Sequence, residues 1–128
     1  MIRAQTQKQL LESERKYYYL YRHDALTGLY NRYGFNAVVD ADYKNPGPGK
    51  VGMMILDIDD FKHINDRYVE EAEFRSGELV MKVTVSVGLC ISNSMENVNV
   101  AMLVNKADQC LYMAKARGKN CVMSTEIP

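Results

Sequence analysis

An α/β (α+β) fold, a sheet flanked by helices behind an amino-terminal helical extension, follows from three features of the chain. Met1 to about Arg22 is rich in Gln, Glu, Lys, Arg and Leu and contains no Gly or Pro, which predicts a helix. Val51–Leu56 is an unbroken apolar run with Pro and Gly upstream. It is too short for a free-standing helix and reads as a buried strand. Val98–Arg117 then carries apolar residues at helical spacing, behind an alternating segment from Leu79 to Ile91.

The bulk composition narrows the class. A chain of 128 residues makes one domain, or one small domain with an extension. With 47% hydrophobic and 25% charged residues it is ordinary for a globular protein and unlike a disordered one. The formal net charge is zero, so no global basic field argues for a nucleic-acid partner. No apolar run reaches membrane-spanning length, and the polar amino terminus lacks a signal-peptide core. Cys90, Cys110 and Cys121 are odd in number, lack C-x-x-C spacing and sit among apolar neighbours. They read as reduced core cysteines, and the expectation is a cytoplasmic domain with no membrane segment.

Taken in order, the first helix has sparse apolar positions (Ile2, Leu10, Leu11) that grow denser at Tyr17, Tyr18, Leu20 and Tyr21. That pattern suits a projecting helix or one strand of a coiled coil, with Tyr17–Tyr19 available to the body or to a second copy. In the next stretch, His23–Arg32, Gly28 permits a compact turn and Asp24 and Thr27 can bond nearby backbone N–H groups. Asn31 suits an N-cap for a helix carrying Tyr33, Phe35, Val38 and Val39, while Leu26 and Leu29 are expected to enter the core. Asn45–Gly49 breaks the chain.

After the Val51–Leu56 strand the polarity flips at Asp57, and Phe61, Ile64 and Tyr68 recur at helical spacing. A strand end aims carboxylates out of the sheet, and a helix start offers N–H groups to anions. Asp57 and Asp59 therefore fit a metal–nucleotide site, since Mg²⁺ prefers one or two carboxylates plus phosphate oxygens. The simpler alternative has Asp59 or Asp60 capping the helix. Further on, Val83, Val85 and Val87 alternate with Thr84 and Ser86 in a strand with one packed face. The Val98–Arg117 helix is expected to turn Val100, Leu103, Val104, Ala107, Leu111, Tyr112 and Ala114 inward and to end at Gly118 as C′ residue. Cys121–Met123 forms a short last strand.

Four segments, in order, resemble the GGDEF family of diguanylate cyclases. Asp24-Ala25-Leu26-Thr27-Gly28-Leu29-Tyr30-Asn31-Arg32 is similar to its D-x-L-T-G-L-x-N-R, and Asp57 to Asp66 to its D-x-D-x-F-K-x-I-N-D. Val83–Gly88 resembles its V-T-x-S-x-G strand, and Ala107 to Asn120 its closing A-D-x-x-[LM]-Y-x-A-K-x-x-G-[RK]-N. The resemblance implies a nucleotidyl-cyclase or polymerase-palm-like sheet, with residues 1–22 a signalling helix and 23–128 the domain. It implies conversion of two GTP into cyclic di-GMP and diphosphate between two face-to-face copies, a likeness that makes a homodimer the expected assembly. An upstream sensory domain would act through the amino-terminal helix. It assigns Mg²⁺ (or Mn²⁺) to Asp57 and the carbonyl of Ile58, phosphate contacts to the backbone around Phe61 and Lys62, and guanine reading to Asn65. Lys115 and Lys119 would grip the outer phosphates; Lys119 stands where Arg is frequent, a point charge in place of a fork.

The chain then departs from the pattern. After Asn65-Asp66-Arg67-Tyr68 the family continues with a long helix and a hairpin bearing Gly-Gly-Asp/Glu-Glu-Phe; here Val69–Glu78 follows and no such signature occurs. The domain is thus expected to be truncated, incomplete between 68 and 69, without the second metal carboxylate and the second guanine-reading Asp. Positioning and charge stabilisation carry this chemistry, so the chain as written is expected to be an inactive cyclase. The alternative is a degenerate module for dimerisation, partner binding or nucleotide binding. Loss of the hairpin would also leave the Val51–Leu56 strand with an open edge, able to pair with another chain.

Overall fold

The structure, a computed structural model, describes residues 2–43, 48–74, 82–95 and 98–128. Two compact units divide the chain, Met1–Pro46 and Gly47–Pro128. Among the described residues there are four helices and three strands: α1 (Ile2–Arg22), α2 (Arg32–Tyr43), β1 (Val51–Ile58), α3 (Phe61–Phe74), β2 (Val85–Ser92), α4 (Val100–Ala116) and β3 (Val122–Ile127). No helix among them is long and apolar enough to cross a membrane. The mixed α+β architecture is the one the sequence predicts.

In the first unit, α1 and α2 are joined by a loop that closes on its own hydrogen bonds. Oδ1 of Asp24 accepts from the N–H of Thr27 at 2.8 Å and from its hydroxyl at 2.7 Å. Those bonds hold the Asp24 carboxyl below its ordinary value, the Thr27 hydroxyl contributing most. Gly28 adopts a left-handed φ of 70° at the turn. Asn31 caps α2 as expected, its Oδ1 accepting the N–H of Gly34 at 2.9 Å. Leu26 and Leu29, expected in the core, are instead 93% and 70% exposed. The polar side chains satisfy the turn from within, which leaves both leucines projecting outward. The tyrosines pair locally: Tyr19 stacks on His23 at 4.0 Å, Tyr21 meets Tyr33 at 4.2 Å, and the Arg22 guanidinium lies 4.1 Å over the Tyr18 ring.

The second unit is a sheet in the order β1-β2-β3 with α4 across one face. β1 runs antiparallel to β2, with Met53 opposite Cys90 and Asp57 opposite Ser86. β2 and β3 are parallel, which requires a crossover, and α4 supplies it. The buried side of α4 is Leu103, Ala107, Cys110, Leu111 and Ala114, a stripe at helical spacing. Tyr112, expected inward, falls outside that stripe and is 75% exposed. Asn99 caps the helix, accepting the N–H of Ala101 at 2.8 Å. At the other end Lys119 donates its N–H to the Ala114 carbonyl and Gly118 to that of Lys115, a Schellman closure around left-handed Gly118.

On β2 the packed face is Ser86, Gly88, Cys90 and Ser92, while Val85 faces outward and is exposed, as is Val83 just before the strand. Small residues are needed there because the α4 backbone comes so close. A Cβ added to Gly88 would lie 2.0 Å from the Ala107 carbonyl oxygen and 2.4 Å from the Leu111 nitrogen. β1 is likewise not buried throughout: Val51, Met53 and Ile55 turn half-buried toward α4, while Met54 and Leu56 are 54% and 60% exposed. Its apolar run serves two faces, of which α4 covers one. The helix α3 continues unbroken through Tyr68 and Val69. Residues 45–47 of the Asn45–Gly49 break, 75–78 of the Val69–Glu78 stretch and 79–81 of the Leu79–Ile91 segment lie outside the described residues.

Gly88→Ala is expected to lower stability by about 1–3 kcal/mol or more, since backbone on both sides blocks relaxation. Thermal unfolding checks this; an unchanged melting temperature would contradict the close approach of α4 to β2.

Candidate functional site

β1 ends at an acidic turn, and α4 ends beside it. Asp57 lies on the α4-facing side of β1, at the pairing position of Ser86. Its Oδ2 accepts a hydrogen bond from the Lys115 ammonium in the last turn of α4. In the turn beyond, Lys119 donates to Oδ1 of Asp60. Residues almost sixty apart in sequence thus form two parallel ion pairs. The side chains of Asp57 and Lys115 are 47% and 39% exposed, those of Asp60 and Lys119 58% and 40%. Pairs this open contribute ~0–1 kcal/mol to stability and exchange partners readily. The hydrogen bond that Lys115 donates to Asp57 is the main cause that holds its ammonium above its ordinary value.

Between the pairs sits Asp59, turned the other way and only 3% exposed. Its Oδ1 accepts the Ser86 hydroxyl at 2.6 Å; its Oδ2 accepts the Thr84 hydroxyl at 2.8 Å and the Asn120 N–H at 3.0 Å. Its own N–H donates to the Thr84 carbonyl at 2.9 Å. Burial pushes the Asp59 carboxyl up, but the Ser86, Thr84 and Asn120 hydrogen bonds and the Lys119 charge outweigh it and leave the group below its ordinary value. Both oxygens of Asp59 are thus engaged by Ser86, Thr84 and Asn120, and neither caps α3. Asp59 fastens the turn after α4 to the start of β2.

Asp60, Lys119 and Asn120 have positive φ of 54°, 66° and 48°. Left-handed backbone costs non-glycine residues roughly 1–2 kcal/mol each, and such strain concentrates at functional sites. Phe61, Lys62 and Asn65 lie exposed in the first two turns of α3, directly after the acidic turn. Ile58 is the last residue of β1. Of the residues singled out in the sequence, the structure joins Asp57 to Lys115, and Asp60 to Lys119. Thr84, Ser86 and Asn120 enter as supports; they are the T, S and N of the V-T-x-S-x-G and G-[RK]-N patterns, but nothing local in the sequence joins them to Asp59.

No three His, Cys, Asp or Glu side chains among the described residues gather closely enough to enclose a metal. Asp57, now held by Lys115, and the Ile58 carbonyl would supply only part of a shell, which suits a cation such as Mg²⁺ that takes its other ligands from phosphate oxygens or water. Two lysine ammonium groups thus stand beside a carboxylate turn at a helix start.

The profile of the GGDEF family (diguanylate cyclase, GGDEF domain) matches residues 21–72 and 69–121. The chain belongs to the GGDEF family. A curated relative, the diguanylate cyclase DgcS of Shewanella oneidensis, is 28% identical over 153 residues, covering 77% of this chain and 51% of its own length. The cyclic di-GMP phosphodiesterase PdeR of Escherichia coli is 30% identical over 70 residues, 55% of this chain and 10% of that protein. The chain therefore spans about half of the first relative and a tenth of the second. The coiled coil and GGDEF domain of DgcB from Caulobacter crescentus, solved in complex with c-di-GMP, has the same fold at TM-score 0.67 and 19% identity, over 97% of this chain and 99% of that one. The GGDEF domain of DgcB alone gives TM-score 0.57 at 20% identity, over 80% and 95%.

Stability is expected to fall at both ends of the pH range. Asp59 has a depressed folded value, so its contribution is present above 3.8 and lost as pH drops below that. Lys115 has a raised one, so its contribution holds below 10.5 and is lost as pH climbs past it. Asp24 adds to the acid limb as well. Comparing unfolding of the wild type with Asp59→Ala and Lys115→Met isolates each limb; unchanged slopes would contradict the assignments.

Proposed function

We propose that this chain is a GGDEF-family signalling domain that binds the triphosphate of GTP at the Asp57–Lys115–Lys119 cluster but does not complete cyclic di-GMP synthesis. The observation that carries the reading is the convergence of Lys115 and Lys119 on the acidic turn, in ion pairs weak enough to be displaced. On nucleotide arrival the two ammonium groups leave Asp57 and Asp60 for the outer phosphates. The freed Asp57 carboxylate and the Ile58 carbonyl would then hold Mg²⁺ (or Mn²⁺), whose chemistry when bound would be to neutralise phosphate charge and lower the pKa of an attacking 3′-hydroxyl. The N–H groups at the start of α3, around Phe61 and Lys62, face the phosphates. Asn65, one turn on, offers the donor and acceptor that a guanine edge needs.

Synthesis is where the chain falls short. No Gly-Gly-Asp/Glu-Glu-Phe occurs in it, and the two family matches meet at residues 69–72. The alignment with the cyclase relative is 153 positions long against 128 residues here, so that relative carries an internal stretch without counterpart. Both facts support a domain lacking its central segment, and with it the second carboxylate and the loop that aims the nucleophile. Phosphoryl transfer depends on such positioning and charge. The relatives include a named cyclase and a named phosphodiesterase, in keeping with a domain that serves proteins of different activities. In this reading α1 links the domain to an upstream sensor in the cytoplasm, residues 1–22 and 23–128 being separate functional parts.

Calorimetric titration with GTP and Mg²⁺ is expected to show binding that weakens about 10- to 100-fold in Lys115→Ala/Lys119→Ala, roughly 1.4–2.7 kcal/mol. Incubation of the unaltered chain is expected to give no cyclic di-GMP by chromatography. Clear product would overturn the inactive reading, and equal affinity in the variant would overturn the site.

A further inference from the structure

The last turn of α1 ends against the first turn of α2, and one residue joins them. A helix closes with carbonyl groups that no later N–H of the helix reaches, and water commonly takes them. Here the carbonyls at the end of α1 find protein partners instead. That of Tyr19 accepts the His23 N–H at 3.0 Å and the His23 ring Nδ1 at 2.9 Å. That of Tyr21 accepts the Asn31 side-chain Nδ2 at 2.9 Å, and that of Arg22 the Asn31 N–H at 2.9 Å. The same Nδ2 lies 3.5 Å from the His23 carbonyl.

Asn31 serves α2 with its remaining groups. Its Oδ1 accepts the Gly34 N–H at 2.9 Å, and its carbonyl accepts the Phe35 N–H at 2.9 Å. Its donors thus reach back to α1 and its acceptors forward to α2, so a single residue ends one helix and begins the next. Packing tightens the joint. Gly34 is buried, and a Cβ added there would lie 2.2 Å from the Arg22 carbonyl oxygen and 2.8 Å from the Tyr30 ring. Rings brace it as well: Tyr19, His23 and Tyr30 follow one another at 4.0 Å and 4.6 Å, and Tyr21 meets Tyr33 at 4.2 Å.

A hinge needs a few residues whose torsions can change without stripping partners from the elements on either side. This joint has no such slack. A swing of α1 away from α2 breaks the Asn31 bonds to Tyr21 and Arg22 together. A swing the other way drives the Arg22 carbonyl into Gly34, where backbone already meets backbone. The intervening loop adds no freedom, because the Asp24 N–H donates to the Leu29 carbonyl at 2.8 Å and closes the loop at its base. We infer that α1 and α2 form one rigid elbow pinned by Asn31, a device that passes a rotation or displacement of α1 to α2 undiminished. The use of such a device rests on the reading of α1 as an input helix. Its geometry and its test do not, and neither depends on nucleotide.

Double electron–electron resonance on the full chain reads the elbow. Spin labels go on Gln9→Cys in α1 and Asp40→Cys in α2, both exposed positions, with Cys121→Ser and with Cys90 and Cys110 left buried. Dilution with unlabelled chain restricts the signal to distances within one molecule. A single narrow distance distribution is expected. Asn31→Asp keeps an acceptor for the Gly34 N–H but sets a carboxylate oxygen against the Tyr21 carbonyl where the donor stood. It is expected to broaden the distribution roughly twofold, with helix content by circular dichroism unchanged, since Asp caps a helix start as well as Asn does. Asn36→Asp, the same charge change at an exposed position of α2, is expected to leave the distribution narrow. A broad distribution with Asn31 intact, an equally narrow one in Asn31→Asp, loss of helix content in that variant, or equal broadening by Asn36→Asp would each overturn the proposal.

Discussion

The carboxylate of Asp59 is the contact on which the geometry of this domain depends. Three donors from three places in the chain, Thr84, Ser86 and the Asn120 N–H, converge on its two oxygens. Without it, the end of β1, the start of β2 and the turn after α4 would each carry polar groups with no partner in a nearly closed space. A buried acceptor stripped of partners, or donors stripped of their acceptor, costs far more than an exposed ion pair returns. The same contact holds Lys119 and Asn120 in the left-handed backbone that sets Lys119 over Asp60. Buried hydrogen bonding thus supports exposed ion pairing: the inner carboxylate is fixed so that the outer two remain available.

The helix α4 connects this hub to the fold. Its buried stripe packs on β2, where Gly88 and the two buried serines let the backbones approach. Its Schellman closure then delivers the chain to the Lys119–Asn120 turn and from there into β3. One face of the sheet is satisfied in this way. The other keeps Met54, Leu56, Val85 and Val122 exposed beside the free edge of β1, an arrangement small sheets rarely leave uncovered.

Much of this was legible in the residues because it rests on local signals. The Gly- and Pro-free start, the Asn31 cap, the long amphipathic stretch and Gly118 as C′ residue each act over a few positions and mark their elements, while β1 runs two residues past the Leu56 end that the polarity flip suggests. The open edge of β1 also followed, from the family resemblance and the missing hairpin. What could not be read depends on distant neighbours. Periodicity reports that a strand has two kinds of face, not which one a helix covers, so the β2 valines point outward and its serines inward. It cannot say that one face of the apolar β1 run goes uncovered, nor that the Asp24 turn closes without its leucines. The role of Asp59 was hidden by its company: three aspartates in four positions look alike until β2 and the 118–120 turn arrive from elsewhere. Two of them face outward to lysines and one faces inward to hydroxyls.

Amide hydrogen exchange at Asn120, in the wild type and in Asp59→Ala, reads the central contact most directly. If Asp59 fixes the turn, the Asn120 amide is protected in the wild type and exchanges much faster in the variant, while β1–β2 ladder amides such as Cys90 keep their protection. Equal protection of Asn120 in both proteins would contradict the account.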